Sequence, residues 1–263
     1  MNVLEYGKEN QQTIMLLHGG GLSWWNYKEV AELLKDRYHV ILPILDGHAG
    51  SSRNFTSIED NAEALLHYID EHCGGQLFLI GGLSLGGQVL VEMLAQRPSF
   101  CEYAIIESAC VVPSKLTNVL IKPMLDMSFG LIKKKWFAKL QFKSLKIKSD
   151  LFQNYYEDTC KISKQDMIAF MKANTSYSCK EEISRTTAKV TVVVGAREQS
   201  NMISSARKLH KMIPGSTLFI KNKLYHGEYS INHPAEYAEY INRCLAESGN
   251  GKTVELFGGH NDY

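Results

Sequence analysis

A serine lies between two glycines where the chain is expected to turn from a strand into a helix. The apolar run Leu77–Ile80 predicts a buried strand, and the run Gln88–Ala95 predicts a helix. Between them, Gly82-Leu83-Ser84-Leu85-Gly86 places a glycine two residues before the serine and another two residues after it. An abrupt strand-to-helix turn crowds these flanking positions, and glycine fits them because it has no side chain. The pattern predicts that Ser84 is a nucleophile exposed at the carboxyl edge of a sheet.

Strand-like and helical segments alternate along most of the chain. Strands are predicted at Thr13–Leu17, His39–Leu45, Leu77–Ile80, Tyr103–Ile106, Val190–Val194 and Thr217–Ile220. Helices are predicted at Glu29–Tyr38, Ser57–His72, Gln88–Ala95, Ser204–Met212 and Pro234–Glu247. This alternation predicts an α/β fold with a mostly parallel central sheet and helices on both of its faces. Ligands of such sheets bind at the carboxyl ends of the strands.

The segment 110–185 differs from the chain on either side of it. Strand-like runs are missing there, and methionines, aromatic residues and lysines recur at helical intervals. The segment carries fourteen Lys and Arg residues against seven Asp and Glu, a net charge of +7, whereas the whole chain carries +1. We therefore expect a helical cap inserted into a core formed by residues 1–109 and 186–247. The polar tail 248–263 is expected to be loosely ordered.

Composition limits the classes of protein that fit this chain. With 263 residues, of which 44% are hydrophobic, it can bury a sizeable core. The net charge of +1 gives no reason to expect a nucleic-acid partner. No signal-peptide pattern is present, and no apolar run approaches the roughly 18 residues of a membrane helix, so stable membrane insertion is not expected. Six cysteines without C-x-x-C spacing predict reduced thiols and a cytoplasmic location.

A serine nucleophile needs a base, and histidine is the residue whose pKa suits that role near neutral pH. His226 is the best candidate because it lies in a loop shortly after the last predicted strand. The other histidines late in the chain fit less well. His210 lies within a helical pattern, His233 opens the final helix, and His260 is in the tail. We therefore predict that His226 takes the proton of Ser84.

A carboxylate that orients the imidazole would complete a catalytic triad. Glu198 is the predicted acid because it lies on the loop that follows the strand Val190–Val194. The order Ser84, Glu198, His226 is the nucleophile–acid–base order of this kind of fold. Glu107, at the end of the preceding strand, remains open as the rival acid. Weaker rivals are Asp46 and Glu228.

Attack on a carbonyl group creates an oxyanion, which needs preorganised hydrogen-bond donors. The backbone N–H of Leu85, at the start of the predicted helix, is one candidate. The second is expected from the loop His18-Gly19-Gly20-Gly21, which follows the first predicted strand. Within that loop we favour the N–H of Gly20, with Gly21 as the next choice.

Several other functional motifs do not match the chain. The glycine-rich stretches fit neither the P-loop nor the dinucleotide-binding spacing, and no His or carboxylate cluster suggests a metal. Neither a metal nor a cofactor is therefore expected. The run Lys133-Lys134-Lys135, followed by Trp136 and Phe137, could touch an anionic membrane surface. A solvated face of a cap helix is the interpretation we favour for this run.

Five segments together resemble the α/β-hydrolase superfamily. They are His18-Gly19-Gly20-Gly21 with Trp24-Trp25, Asp46-Gly47-His48-Ala49-Gly50-Ser51-Ser52, Gly82-Leu83-Ser84-Leu85-Gly86, Gly195-Ala196-Arg197-Glu198 and His226-Gly227. The resemblance implies a cofactor-free serine hydrolase of the esterase and lipase type, with a cap between the sixth and seventh strands. Three features depart from the family pattern: a Glu at the acid position, an Asp-Gly-His-Ala-Gly loop, and little chain before Thr13 for the first of the usual eight strands.

From these residues we predict a hydrolase of small to medium carboxylic esters with an apolar acyl part. The residues expected to contact the substrate are Gly21, Trp24, Met124 and Trp136. The alternatives are a carbon–carbon-bond hydrolase, which tends to need a cation in its pocket, and a non-catalytic ligand-binding protein of the same fold. The only expected partner is the small-molecule substrate, and the expected oligomeric state is a monomer or a homodimer.

Overall fold

The computed structural model of the protein describes residues 1–250, which fold around one sheet of seven strands. The strands are β1 (Val3–Tyr6), β2 (Thr13–Leu17), β3 (His39–Pro43), β4 (Leu77–Leu83), β5 (Cys101–Glu107), β6 (Lys189–Gly195) and β7 (Thr217–Lys221). They lie in the order β1-β3-β2-β4-β5-β6-β7. All neighbouring pairs are parallel except β1 with β3. The predicted α/β fold with a mostly parallel sheet is confirmed.

The edge strand β1 is absent from the sequence-based prediction. It pairs antiparallel with β3, so that Val3 lies opposite Pro43 and Tyr6 lies opposite Val40. The strand has only four residues, and all four are half-buried. It therefore lacks the buried apolar run that marks the inner strands, because an edge strand packs against a neighbour on one side only.

Ten α-helices surround the sheet in the described part of the chain. They are α1 (Lys28–Leu34), α2 (Ile58–His72), α3 (Leu85–Gln96), α4 (Lys115–Ile132), α5 (Lys135–Ser144), α6 (Phe152–Lys161), α7 (Lys164–Ser176), α8 (Ser200–Met212), α9 (Glu228–Asn232) and α10 (Pro234–Asn250). Short 3-10 helices occupy Trp24–Tyr27, Ser149–Leu151 and Glu181–Arg185. Ser57 caps the N-terminus of α2, because its side chain accepts a hydrogen bond from the Asp60 N–H at 3.0 Å.

Helices cover both faces of the sheet, and a separate apolar core lies on each face. Successive residues of a strand point to opposite faces, so Met15 and Leu17 of β2 join the core beneath α2 and α3. Ile14 and Leu16 join the other core, beneath α1 and α10. The apolar run of β2 is thus buried on both sides, which is the pattern expected of an inner parallel strand.

The chain between β5 and β6 is helical and packs over one end of the sheet. It contains α4, α5, α6 and α7, with α4 packed on α7 and α5 packed on α6. Several polar contacts attach it to the rest of the protein, and two of them involve its acidic residues Asp158 and Asp166. The Trp25 indole N–H donates to Asp158 at 2.8 Å, and the Phe55 N–H donates to Asp166 at 2.8 Å. We call the segment 110–185 the helical insertion.

The last helix is longer than predicted. α10 begins at Pro234 and extends past the predicted end at Glu247 to Asn250. Residues 251–263 of the expected loose tail 248–263 lie outside the described residues, so the loose order of the tail stays a prediction. Within residues 1–250, no helix is both long and apolar enough to cross a membrane.

Candidate active site

The turn between β4 and α3 holds Ser84 in a conformation that few residues adopt. Its φ is +54° and its ψ is −111°, and a positive φ is costly for a residue with a side chain. A β-carbon added at Gly82 would lie 2.4 Å from the Gly86 carbonyl oxygen. One added at Gly86 would lie 2.3 Å from the Leu17 carbonyl oxygen. These distances explain the glycines on both sides of Ser84, because any side chain there would collide with the backbone.

His226 and Glu198 meet across two loops at the same edge of the sheet. The Nδ1–H of His226 donates to Oε2 of Glu198 at 2.7 Å. The other carboxylate oxygen, Oε1, accepts hydrogen bonds from the Ser108 hydroxyl and from the Gly195 N–H, each at 2.7 Å. Burial opposes ionisation of Glu198, but the hydrogen bonds from His226, Ser108 and Gly195 outweigh it and hold its pKa below the ordinary value. Glu198 is therefore a buried carboxylate aimed at the imidazole.

Glu107, the rival acid, has a different environment. Its side chain is buried on β5 and accepts a hydrogen bond from the Ser230 N–H at 3.2 Å. Burial raises its pKa to about 7. It makes no hydrogen bond to His226, and neither do the two weaker rivals. Asp46 lies 3.4 Å from the Arg53 guanidinium, and Glu228 accepts a hydrogen bond from the Tyr225 N–H at 2.6 Å.

Two backbone N–H groups beside Ser84 are available to an oxyanion. Leu85 is the first residue of α3, where the N–H has no partner within the helix. The Gly20 backbone lies against it, since a β-carbon added at Gly20 would be 3.5 Å from the Leu85 side chain. Neither N–H has a hydrogen-bond partner among residues 1–250. The Gly21 N–H, by contrast, donates to His48 Nε2 at 3.0 Å and is already used.

Two buried histidines hold the loop that carries Gly20. His18 donates from Nδ1 to the Gly19 carbonyl at 2.9 Å and accepts at Nε2 from the Leu45 N–H at 3.1 Å. His48 accepts from the Gly21 N–H, and its ring stacks on Phe170 with centroids 4.6 Å apart. Burial lowers the pKa of His18 to about 3 and that of His48 to about 4, so both imidazoles are neutral.

Neither of these histidines is among the predicted site residues. Each follows a predicted strand and stands beside a glycine, as His226 does. The sequence position of a histidine after a strand therefore does not tell whether it positions a loop or acts as a base. Asn26 has a similar positioning role, since its side-chain oxygen accepts a hydrogen bond from the Gly19 N–H at 3.2 Å.

A cavity of about 550 Å³ lies between the sheet edge and the helical insertion. Ser84 and His226 both line it, although no direct hydrogen bond joins their side chains in the described structure. Gly20 and Gly21 line its floor, and Met124, Phe137 and other apolar residues of the helical insertion line its roof. His226 is the only titratable lining residue besides Tyr155 and Tyr225 in the part of the chain described, because no Lys, Arg, Asp or Glu lines the cavity.

The structure separates the four predicted substrate contacts into two pairs. Gly21 and Met124 line the cavity. Trp24 instead packs against the core beneath α1 and α10, and Trp136 is 65% exposed at the surface of α5. These two tryptophans do not line the cavity, because one packs against a core and the other faces solvent. Within residues 1–250, no group of three or more His, Cys, Asp or Glu side chains could hold a metal ion.

Comparisons with known proteins place this geometry in a family. The alpha/beta hydrolase family model matches residues 14–239. The uncharacterized hydrolase YugF of Bacillus subtilis is 23% identical over 258 residues, which cover 92% of this chain and 91% of the relative.

Solved structures resemble the chain closely in fold but not in sequence. A thermophilic esterase from Thermogutta terrifontis has a TM-score of 0.76 at 15% identity and covers 94% of this chain and 93% of its own. A meta-cleavage product hydrolase from Pseudomonas fluorescens has a TM-score of 0.70 at 15% identity and covers 94% of each chain. At such identities the likeness shows the fold alone, and these two neighbours carry different activities in their names.

Proposed function

The chain belongs to the alpha/beta hydrolase family, and we propose that it is a serine hydrolase that cleaves carboxylic esters through an acyl-enzyme on Ser84. One observation carries this proposal: the strained Ser84 shares an apolar cavity with a histidine whose Nδ1 is hydrogen-bonded to a buried carboxylate, Glu198. Nucleophile, base and orienting acid are thus within one site, in the roles that acyl transfer requires.

The acylation step uses the two sides of the His226 ring. Its Nδ1–H is held by Glu198, so the lone pair on Nε2 is free to take the hydroxyl proton of Ser84. The Ser84 oxygen attacks the acyl carbon, and the carbonyl oxygen becomes an oxyanion. The N–H groups of Leu85 and Gly20 stabilise that charge. When the intermediate collapses, the C–O bond of the ester breaks and the imidazolium gives its proton to the departing alcohol.

Deacylation repeats this sequence with water as the nucleophile. His226 takes a proton from the water molecule, whose oxygen attacks the acyl carbon and restores the oxyanion. Collapse breaks the bond to Ser84, which receives the proton from His226. The products are a carboxylic acid and a free enzyme. Because Glu198 remains ionised throughout, it stabilises the imidazolium in both steps.

The helical insertion is proposed to act as a cap that selects the acyl group. Its contribution to the cavity is mainly apolar and includes Leu125, Ile132, Phe137 and Met167. A volume of about 550 Å³ is within the range of about 300–1,000 Å³ that small-molecule sites span. These properties support an ester of small to medium size with an uncharged, apolar acyl chain.

A carbon–carbon-bond hydrolase would use the same triad on a substrate that carries a carboxylate. Such a substrate needs a cation in the pocket, and no Lys or Arg lines the cavity within the described residues. Two cations outside the lining, Lys146 and Arg197, lie over the ring of Tyr225 at 5.9 Å and 5.5 Å from its centroid. The uncharged lining therefore favours ester cleavage.

Labelling with a fluorophosphonate probe tests the proposal. Wild-type protein should be labelled, Ser84→Ala should not, and Ser176→Ala, which alters an exposed serine of α7 outside the cavity lining, should retain labelling. A panel of p-nitrophenyl esters should then show hydrolysis that rises with acyl length until the cavity is filled. A folded wild type that is neither labelled nor active on esters would support the non-catalytic alternative, and turnover of dienol or diketone substrates in preference to esters would support carbon–carbon cleavage.

We further propose that the protein works in the cytoplasm as a monomer or a homodimer. Its six cysteines, all within residues 1–250, are free, which supports a reducing compartment. Mass determination in solution and localisation of a tagged protein would test these two statements.

A further inference from the structure

Exposed apolar side chains are concentrated on the helical insertion. Of the twelve large hydrophobic residues that are exposed in the described chain, nine lie between Leu116 and Leu145. They are Leu116, Val119, Leu120, Met124, Met127, Leu131, Trp136, Leu140 and Leu145. Singly exposed apolar residues are ordinary, but such a concentration within one segment of the chain indicates an interaction site.

Helix α4 is apolar on two opposite sides. Ile121, Leu125 and Ile132 are buried on the inner side. Leu116, Leu120 and Met127 recur at intervals of about one and two turns on the other side, with exposures of 75%, 53% and 86%. With Val119, Met124 and Leu131 they form an apolar arc about 140° wide around the helix axis, at about 100° per residue. A helix surface that faces only water would carry polar residues on this arc. We call this arc the outer apolar face.

Helix α5 continues this composition and adds positive charge. Ala138 and Phe142 are its buried residues, whereas Trp136 and Leu140 are 65% and 63% exposed. Exposed lysines accompany them on the turn after α4 and along α5. They are Lys133, Lys134, Lys135, Lys139 and Lys143, and none of them forms an ion pair with a residue that the structure describes.

We propose that the outer apolar face of α4, with Trp136 and Leu140, docks on the surface of an anionic lipid membrane. Interfacial helices combine an exposed apolar face with lysines and a tryptophan, and the lysines attract acidic headgroups. The helical insertion has a net charge of +7, which complements such a surface. This is docking at the interface and does not require a membrane-spanning helix.

A second copy of the chain fits this surface less well. In a twofold dimer, the same patch of each copy would meet its equivalent. The exposed lysines of both copies would then be brought together, and like charges across an interface are repulsive. An anionic lipid surface buries the same apolar residues and neutralises the lysines.

The outer apolar face adjoins the wall of the cavity. Met124 is 49% exposed on α4 and also lines the cavity that contains Ser84. Other residues of the same helix, Leu125 and Ile132, line the cavity from inside. Docking would therefore place the cavity next to the lipid, where acyl esters are concentrated. This last consequence rests on the proposed esterase function, but the docking itself does not.

Co-sedimentation with vesicles tests the docking. The wild-type chain should bind vesicles of equimolar phosphatidylcholine and phosphatidylglycerol and should bind pure phosphatidylcholine vesicles much more weakly. The variant Leu116→Ser/Val119→Ser/Met127→Ser should lose more than about tenfold in affinity, since each change removes apolar area from the interface. The variant Lys134→Gln/Lys139→Gln/Lys143→Gln should lose about fivefold per lysine. Binding of the wild type should also weaken at about 1 M salt, where screening shortens the Debye length to about 3 Å.

Matched substitutions elsewhere control for general effects. Leu33→Ser alters an exposed apolar residue of α1, and Lys28→Gln/Lys208→Gln/Lys211→Gln alters three exposed lysines outside the helical insertion. Both controls should bind anionic vesicles like the wild type. Circular dichroism and thermal melting establish that every variant is folded.

Three results would overturn the docking proposal. The first is that the wild type does not bind anionic vesicles, and the second is that the surface variants bind them as tightly as the wild type does. The third is that the wild type binds no vesicles but forms a dimer in light scattering, and that the variant Leu116→Ser/Val119→Ser/Met127→Ser does not form this dimer. Ser84→Ala separates this proposal from the esterase: it should bind vesicles like the wild type while losing ester hydrolysis. An inactive wild type that still binds vesicles would refute the esterase and leave the docking intact.

Discussion

Replacing Glu198 with glutamine should abolish most of the hydrolase activity through the tautomer of His226. In the wild type, Oε1 of Glu198 accepts hydrogen bonds from the Ser108 hydroxyl and the Gly195 N–H. The amide oxygen of glutamine must stay with these two donors, because an NH₂ group cannot accept from them. The NH₂ group then faces Nδ1 of His226, 2.7 Å away in the wild type. Nδ1 has to accept that hydrogen, so the ring proton moves to Nε2, where it blocks transfer from Ser84.

The size of the loss can be worked out from the geometry. Two unit charges about 4 Å apart interact by about 4 kcal/mol at an effective dielectric constant of about 20. The Glu198 side chain is fully buried, but that of His226 is 45% exposed. Solvent screening therefore reduces the charge effect to about 3 kcal/mol, or roughly a hundredfold in kcat. With the wrong tautomer added, the loss should approach the roughly 10⁴-fold that comparable triad substitutions cause.

Steady-state hydrolysis of a soluble p-nitrophenyl ester measures this effect. The matched control is Glu107→Gln, which keeps an oxygen to accept the Ser230 N–H and should change kcat by less than about threefold. Thermal melting shows whether both variants are folded. The role of Glu198 is refuted if Glu198→Gln keeps more than about a tenth of the wild-type kcat, or if only Glu107→Gln is inactive.

Three further predictions concern stability and the oxyanion loop. Burial raises the pKa of Glu107 to about 7, so this group stabilises the fold less as pH rises from about 4.3 to about 7. Urea unfolding should show that the free energy of unfolding of the wild type falls by up to about 3 kcal/mol over that range because of this group. In Glu107→Gln this contribution to the fall should be absent. Gly86→Ala, whose β-carbon would lie 2.3 Å from a carbonyl oxygen, should prevent stable folding. Gly130→Ala, in open space on α4, should instead raise stability by about 0.5–1 kcal/mol. If both glycine variants melted at the same temperature as the wild type, both statements would be contradicted. His48→Ala removes the acceptor of the Gly21 N–H and should lower kcat roughly tenfold with little change in KM, and an unchanged kcat would contradict this.

The inner strands could be predicted because short apolar stretches of sequence indicate buried strands. β2 and β4 are buried on both faces, so a run of four apolar residues indicates each of them, and the four valines within Val190–Val194 indicate β6. β1 could not be recognised in this way, because its four residues are only half-buried and its place depends on pairing with β3. Helix ends were predictable where a local signal exists, as at Ser57, which caps α2.

The two faces of the helical insertion could not be separated from sequence alone. Methionines, aromatic residues and lysines indicate helices, but inner and outer apolar residues have the same composition. Phe137 lines the cavity while the neighbouring Trp136 points away from it and is exposed. Which of the two meets a substrate depends on how α5 packs on α4 and α6, and this is a property of the assembled helices.

By itself, the sequence determined the elbow around Ser84 and the fold class, because crowding at a strand-to-helix turn and burial of alternating segments are local requirements. It also placed candidate acids and His226 after successive strands. Only the tertiary structure decided which carboxylate meets the imidazole: Glu198 does so at 2.7 Å, whereas Glu107 binds the Ser230 N–H. The physical reason is that a hydrogen bond depends on distance and direction between loops far apart in the chain, and these are set by the order of the strands in the sheet.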